Sequence, residues 1–157
     1  MNILTNINNL IYELKNEDSA AQDKEKIIGT TRFIIHKHVT ERNPKFPHMD
    51  IRIMRLTDNK VLSLALPKME IPTGNKKVLL VSNYLHNFTW VYIPTIKIPS
   101  GNYGAGLITT EDSGKLDILK WDENDNITFI ANSKLLNGKY HIINTSGNQF
   151  LFFKAKS

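Results

Sequence analysis

From Thr30 onward the chain is a succession of short runs rich in Ile, Val, Phe, Tyr and Thr, with turn residues between them. Many short runs of this kind are typical of β-strands in an antiparallel barrel or sandwich. We expect a mainly β fold, a single small closed antiparallel β-barrel, because closure removes the sheet edges that would otherwise stay exposed. The predicted strands are 31–38, 49–56, 61–66, 77–84, 89–93, 106–110, 116–121, 127–131, 140–144 and 150–154.

The segment before these strands has a different pattern. Residues 2–17 carry apolar side chains close to a 3.6-residue period, which predicts a short N-terminal helix, and a polar stretch follows it. We therefore assign 1–29 to a helix and polar arm and 30–157 to the barrel, as one domain overall. A chain of 157 residues is long enough for one hydrophobic core.

The composition narrows the chemistry of any site. There is no cysteine, so a bound metal must be held by nitrogen and oxygen atoms. The formal net charge of +5 favours polyanionic partners such as nucleic acid. The sequence has no apolar run long enough to span a bilayer and no signal-peptide pattern, so we expect a cytoplasmic, intracellular protein without membrane contact. We also expect a monomer.

Residues 48–52 carry the clearest chemical signal. Successive side chains of a strand point to opposite faces, so His48, Asp50 and Arg52 would share one face and Met49 and Ile51 the other. The polar face offers two metal ligands and a cation, and the apolar face can pack in a core.

A second pair of histidines ends the preceding run. If the two strands pair, His36 and His38 lie on the same side of the sheet as His48 and Asp50. Two imidazoles and a carboxylate, such as His38, His48 and Asp50, suit a divalent transition metal with positions left open for other ligands. The neighbouring Arg52 favours a phosphoryl oxygen as the guest.

Simpler interpretations of the same residues remain open. The histidines can be structural, and Arg52 can pair with Asp50 and do nothing else. Lys68, taken alone, is a solvated lysine. The glycine-rich loop 98–106 lacks the strand-to-helix context of a nucleotide-binding loop, so a tight connection between strands is the better interpretation.

The order of these segments resembles the 3′-phosphoesterase domain of bacterial DNA ligase D and its free-standing archaeal relatives. The similarity runs from about Phe33 to Lys154, although the loop 39–47 is longer than in that family. The matching segments are Phe-Ile-Ile-His-Lys-His at 33–38, His-Met-Asp-Ile-Arg at 48–52, Leu-Ser-Leu-Ala-Leu-Pro-Lys at 62–68, Ile-Pro-Ser-Gly-Asn-Tyr-Gly-Ala-Gly at 98–106, Glu-Asp-Ser-Gly at 111–114, Leu-Leu-Asn-Gly-Lys-Tyr at 135–140 and Phe-Leu-Phe-Phe-Lys at 150–154.

The resemblance implies a small barrel with a crescent groove and a manganese-dependent activity on DNA or RNA 3′ ends, such as those of primer–template duplexes. Such domains remove a terminal ribonucleoside to leave a 3′-phosphate and then hydrolyse that phosphate to a 3′-hydroxyl. Co²⁺ and Zn²⁺ suit the same ligand set. The resemblance assigns His38, His48 and Asp50 to the metal, Arg52 and Lys68 to the scissile phosphate, and His86 to the transition state.

This sequence departs from the family at several accessory positions. The transition-state histidine aligns with Tyr84 without a gap and with His86 after a small insertion. The arginine that precedes that strand is a lysine here, Lys76 or Lys77, and the arginine–aspartate pair of the N-terminal arm has at best Glu17 after an asparagine. These departures leave a second hypothesis open, a non-catalytic barrel that binds nucleic-acid ends or a separate DNA ligase.

Overall fold

The computed structural model describes residues 26–83 and 85–156. The predicted N-terminal helix lies outside the described residues. The described part is mainly β, with one 3₁₀ helix at Phe88–Val91. Its strands are β1 Gly29–Thr40, β2 His48–Met54, β3 Val61–Leu66, β4 Lys77–Ser82, β5 Ile96–Ile98, β6 Gly106–Trp121, β7 Asn126–Asn132, β8 Asn137–Ser146 and β9 Gln149–Lys154.

The strands close into an antiparallel barrel, as the sequence predicts. Eight of them follow the order β1-β2-β3-β4-β9-β8-β7-β6, and β6 pairs back onto β1. β1 pairs with β6 along its whole length, from Gly29 opposite Ile118 to Thr40 opposite Gly106. The short β5 adds to the start of β6.

Alternation along β1, β2 and β3 separates an inner from an outer face. Phe33, Ile51 and Leu64 belong to the large buried cluster that fills the barrel. The residues that alternate with these along each strand point outward. Among them, Ile34 and Val61 form a second small cluster with residues of the 3₁₀ helix. The segment after β4 therefore covers the outer face of these three strands, and buried polar groups can lie beneath it.

Several predicted elements differ in the structure. Residues 89–93 are not a strand, because the side chain of Asn87 accepts a hydrogen bond from the Thr89 amide and starts the 3₁₀ helix. β5 was not predicted, and the predicted strands 106–110 and 116–121 are one continuous strand. The sequence Ser113-Gly114 is typical of a turn and predicts one there. In the structure both residues pair with β1, so the strand continues through them.

Asp112, in one of the segments that carry the family resemblance, is structural. Its carboxylate accepts hydrogen bonds from the Ser133 hydroxyl at 2.7 Å and the Leu135 amide at 2.9 Å. It therefore fixes the turn between β7 and β8. Within the described residues, no helix is both long enough and apolar enough to cross a membrane.

Candidate metal centre

Strands β1 and β2 bring the two halves of the predicted site together. Their register sets His38 opposite His48 and His36 opposite Asp50. Because side chains alternate along each strand, all four lie on the outer face of the barrel. The strands thus pair as the sequence predicts.

His38, His48 and Asp50 form a compact cluster in which each offers one ligand atom within 4.8 Å of the others. Nε2 of His48 lies 3.2 Å from Oδ2 of Asp50, and this hydrogen bond raises the pKa of His48. Burial acts to raise the pKa of Asp50, but the hydrogen bond from His48 and the positive charge of Arg52 outweigh burial and lower it. Asp50 is therefore ionised at neutral pH although it is buried.

A backbone carbonyl sets the tautomer of His38. Nε2 of His38 lies 2.7 Å from the carbonyl oxygen of Gly104. A carbonyl only accepts, so Nε2 carries the hydrogen and Nδ1 keeps its lone pair. Bonds of this type orient histidines that bind metals.

The guanidinium of Arg52 is buried behind the cluster and bonded to neighbouring side chains. It donates to Nδ1 of His36 at 3.1 Å, to the Ser63 hydroxyl at 2.6 Å and to Oδ2 of Asp50 at 3.3 Å. It also lies over the ring of Trp90, 4.6 Å from the ring centroid. Arg52 therefore forms an ion pair with Asp50, which was one of the interpretations open from the sequence. The pair is buried, and it orients the carboxylate.

His36 connects Arg52 to the covering segment. Its ring is fully buried, with Nε2 donating to the Ile93 carbonyl at 2.9 Å and Nδ1 accepting from Arg52. We expect His36→Ala to lower the free energy of unfolding by about 2–4 kcal/mol, since the Arg52 guanidinium and the Ile93 carbonyl each lose a hydrogen bond in a buried setting. His36→Gln, which can accept and donate at similar spacing, should recover most of that loss. Urea unfolding of both variants measures the difference, and equal destabilisation would contradict this role.

Burial also makes His36 a source of acid sensitivity. Burial lowers the pKa of His36, with the charge of Arg52 acting in the same direction. Below about pH 6.5 the unfolded chain then binds more protons than the folded one. The contribution of neutral His36 to the free energy of unfolding is therefore fully present above that pH and is lost as the pH falls below it. Urea unfolding at pH 7.5 and 5.5 should show a smaller acid loss in His36→Gln than in the wild type. An equal acid loss in both proteins would contradict it.

A groove of about 1090 Å³ opens over the cluster. His38, His48, Asp50 and Arg52 line it from the barrel side, and residues of 83–105 line it from the covering segment. His86 is among the latter, held by backbone hydrogen bonds of 2.9 Å in both directions with Val61. Its pKa is lowered by burial and by the charge of Arg52. His86 thus presents a neutral imidazole to the groove at pH 7.

The remaining predicted residues are not brought to the cluster. Lys68 is exposed just after β3, one residue beyond the groove-lining Pro67. Lys76 is exposed and forms an ion pair with Glu70. Tyr84 and Glu17 lie outside the described residues.

Sequence reasoning did not single out three groups that shape the site: Ser63, Trp90 and the Gly104 carbonyl. Ser63 had a usable signal, because it interrupts an apolar run and alternation places it on the polar face. Trp90 and Gly104 had none, since their positions depend on how the segment after β4 folds over the barrel.

The residues present fit a divalent cation. Oδ1 of Asp50 is buried and has no hydrogen-bond partner among the described residues. An unsatisfied buried carboxylate oxygen is unfavourable, and a bound cation satisfies it. Two imidazoles and one carboxylate are a ligand set that Mn²⁺, Co²⁺ and Zn²⁺ accept.

Fold and site together define a closed β-barrel that carries a two-histidine, one-carboxylate cluster on its outer face, under a groove. The chain is similar to the multifunctional non-homologous end joining protein LigD of Mycobacterium bovis, 28% identical over 128 residues, covering 80% of this chain and 16% of that protein. It is 26% identical over 152 residues to LigD of Mycolicibacterium smegmatis, covering 90% of this chain and 19% of that protein. The chain thus spans less than a fifth of the length of these relatives. No family model matches it.

Proposed function

We propose that this chain is a metal-dependent phosphoesterase that processes nucleic-acid 3′ ends in DNA repair. It hydrolyses a 3′-phosphate, and removes a 3′-terminal ribonucleoside where one is present, to leave a 3′-hydroxyl for ligation. The cluster of His38, His48 and Asp50 beside the groove is the observation that carries the proposal. The similarity to LigD, a multifunctional non-homologous end joining protein, supports a nucleic-acid end as the substrate. A separate DNA ligase is proposed as the partner that would join the processed end.

The ligands proposed to hold a divalent cation are His38, His48 and Asp50. Mn²⁺ is the first candidate and Co²⁺ or Zn²⁺ the alternatives; bound there, the cation would offset charge on the phosphoryl oxygens and lower the pKa of a water molecule. Arg52 holds Asp50 in position and adds a fixed positive charge beside the groove.

Two further side chains would act on the phosphate. His86, neutral at pH 7, can donate a ring N–H to a phosphoryl oxygen as charge builds there. Lys68 is exposed next to the groove-lining Pro67, and it is proposed to contact the phosphate from the solvent-facing side of the groove. The longer loop 39–47 shapes the entrance through Arg42, which lines the groove.

The test is a hydrolysis assay on labelled duplexes that end in a 3′-phosphate or a 3′-ribonucleotide. We expect the terminal group to be lost with Mn²⁺ and retained after chelation, because the ligand cluster has no activity without its cation. DNA binding that is steeply salt-dependent, unaffected by chelator and without turnover would instead support the non-catalytic barrel.

A further inference from the structure

We propose that Tyr103 is a stacking surface for the nucleobase of the 3′-terminal nucleotide, an inference that rests on the proposed function. Tyr103 lines the groove, yet 86% of its surface is exposed. A large aromatic ring held at the mouth of a groove is suited to an occupant with a flat face.

The loop that carries Tyr103 is closed by its own hydrogen bonds. The Asn102 side-chain amide donates to the Pro99 carbonyl at 3.1 Å, and the Ala105 amide donates to the Asn102 carbonyl at 3.1 Å. The ring is therefore presented from a turn with a defined backbone, which lowers the conformational entropy lost when a base stacks on it.

The same loop touches the candidate metal centre. Gly104, the next residue, accepts the hydrogen bond from His38 and has a φ of +76°, and a Cβ there would lie 3.3 Å from Cε1 of His38. Consecutive Cα atoms are about 3.8 Å apart. Tyr103 thus stands one residue from a group that contacts a proposed ligand, and it lines the same groove as that ligand.

The positive charges on the β1–β2 loop suit a nucleotide. Arg42 lines the same groove, and Lys45 is exposed on the same β1–β2 loop. The acidic Glu41 is engaged, with its carboxylate accepting from the Ser100 hydroxyl at 2.6 Å and its amide donating to the Ala105 carbonyl at 2.8 Å. These bonds tie the loop that bears the cations to the loop that bears the ring.

A nucleobase matches this arrangement because every base has a π-face that can stack on an aromatic ring. Such stacking is tolerant of sequence, so we expect Tyr103 to distinguish an end that has a base from one that lacks it. It should discriminate little between the four bases.

The test uses fluorescein-labelled duplexes that end either in a 3′-phosphorylated nucleotide or in a 3′-phosphorylated abasic site, with binding followed by anisotropy in the presence of chelator. We expect the wild type to bind the base-bearing end about tenfold more tightly, in keeping with one stacked base. Tyr103→Ala should lose that preference and Tyr103→Phe, which keeps the ring, should retain it. Persistence of the preference in Tyr103→Ala, or its absence in the wild type, would overturn the proposal. Because the readout is binding without metal, this outcome is separate from a failure of turnover, which bears on the proposed function.

Discussion

His48→Ala is expected to reduce the rate of 3′-phosphate hydrolysis by at least about a thousandfold, since loss of a ligand removes the several kcal/mol that a metal supplies to the transition state. The free energy of unfolding should change by less than about 1 kcal/mol. The reason is that His48 is half-buried at the start of β2 and its contact with Asp50 involves a partly exposed ring. Initial rates with saturating Mn²⁺ and urea unfolding of the same preparation measure both quantities.

The matched control for this experiment is Lys37, which lies one residue before His38 and therefore on the opposite face of β1. Lys37→Ala should keep the wild-type rate within a few fold. A His48→Ala protein that hydrolyses the 3′-phosphate at the wild-type rate would contradict the assignment of His48 as a ligand.

Asp50 is a less suitable probe of catalysis than the sequence suggests. From the sequence, alanine at 38, 48 or 50 is expected to abolish turnover and leave the fold intact. In the structure Asp50 is the carboxylate that pairs with the buried Arg52, so Asp50→Ala leaves a buried charge uncompensated, at a cost of about 3–5 kcal/mol. Lost activity in that variant would therefore mix two causes.

Gly106→Ala is expected to prevent folding or to lower the free energy of unfolding by more than about 4 kcal/mol. Gly106 has a φ of +142°, and a Cβ there would lie 2.1 Å from the carbonyl oxygen of Val39. The clash falls between β1 and β6, where the barrel closes, and only backbone movement can relieve it. Thermal unfolding followed by circular dichroism measures the effect.

Gly147→Ala is the control for backbone strain without a clash. Gly147 has a φ of +55°, but a Cβ there would meet nothing within 4 Å. We expect it to cost about 1–2 kcal/mol, the usual penalty for a left-handed alanine. If Gly106→Ala and Gly147→Ala lower the free energy of unfolding by the same amount, the close approach of β1 and β6 at Gly106 does not explain the loss.

What the sequence could predict was local. Period-two alternation separated His48, Asp50 and Arg52 from Met49 and Ile51, and the structure shows the same division between outer and inner faces. The closed barrel also followed from the number and spacing of the apolar runs. Both predictions depend on strand periodicity, which can be recognised from residues that are close together in the sequence.

What the sequence could not predict depends on tertiary packing. Ser113-Gly114 is a turn signal that pairing with a long β1 overrides, so β6 continues through it. Residues 89–93 are β-branched and aromatic, yet they fold as a cover over the polar face. That cover buries Arg52 against Trp90, where the guanidinium also donates to Asp50 and orients it. A contact between Arg52 and the phosphate stays a prediction.

Titration of the purified protein with Mn²⁺, followed by the EPR signal of the free ion, is the most direct test of whether His38, His48 and Asp50 bind one cation. We expect one Mn²⁺ per wild-type chain, with binding lost in His38→Ala and in His48→Ala and unchanged in Lys37→Ala. A wild-type protein that binds no Mn²⁺, Co²⁺ or Zn²⁺, or one whose binding survives both histidine substitutions, would contradict a metal centre formed by His38, His48 and Asp50.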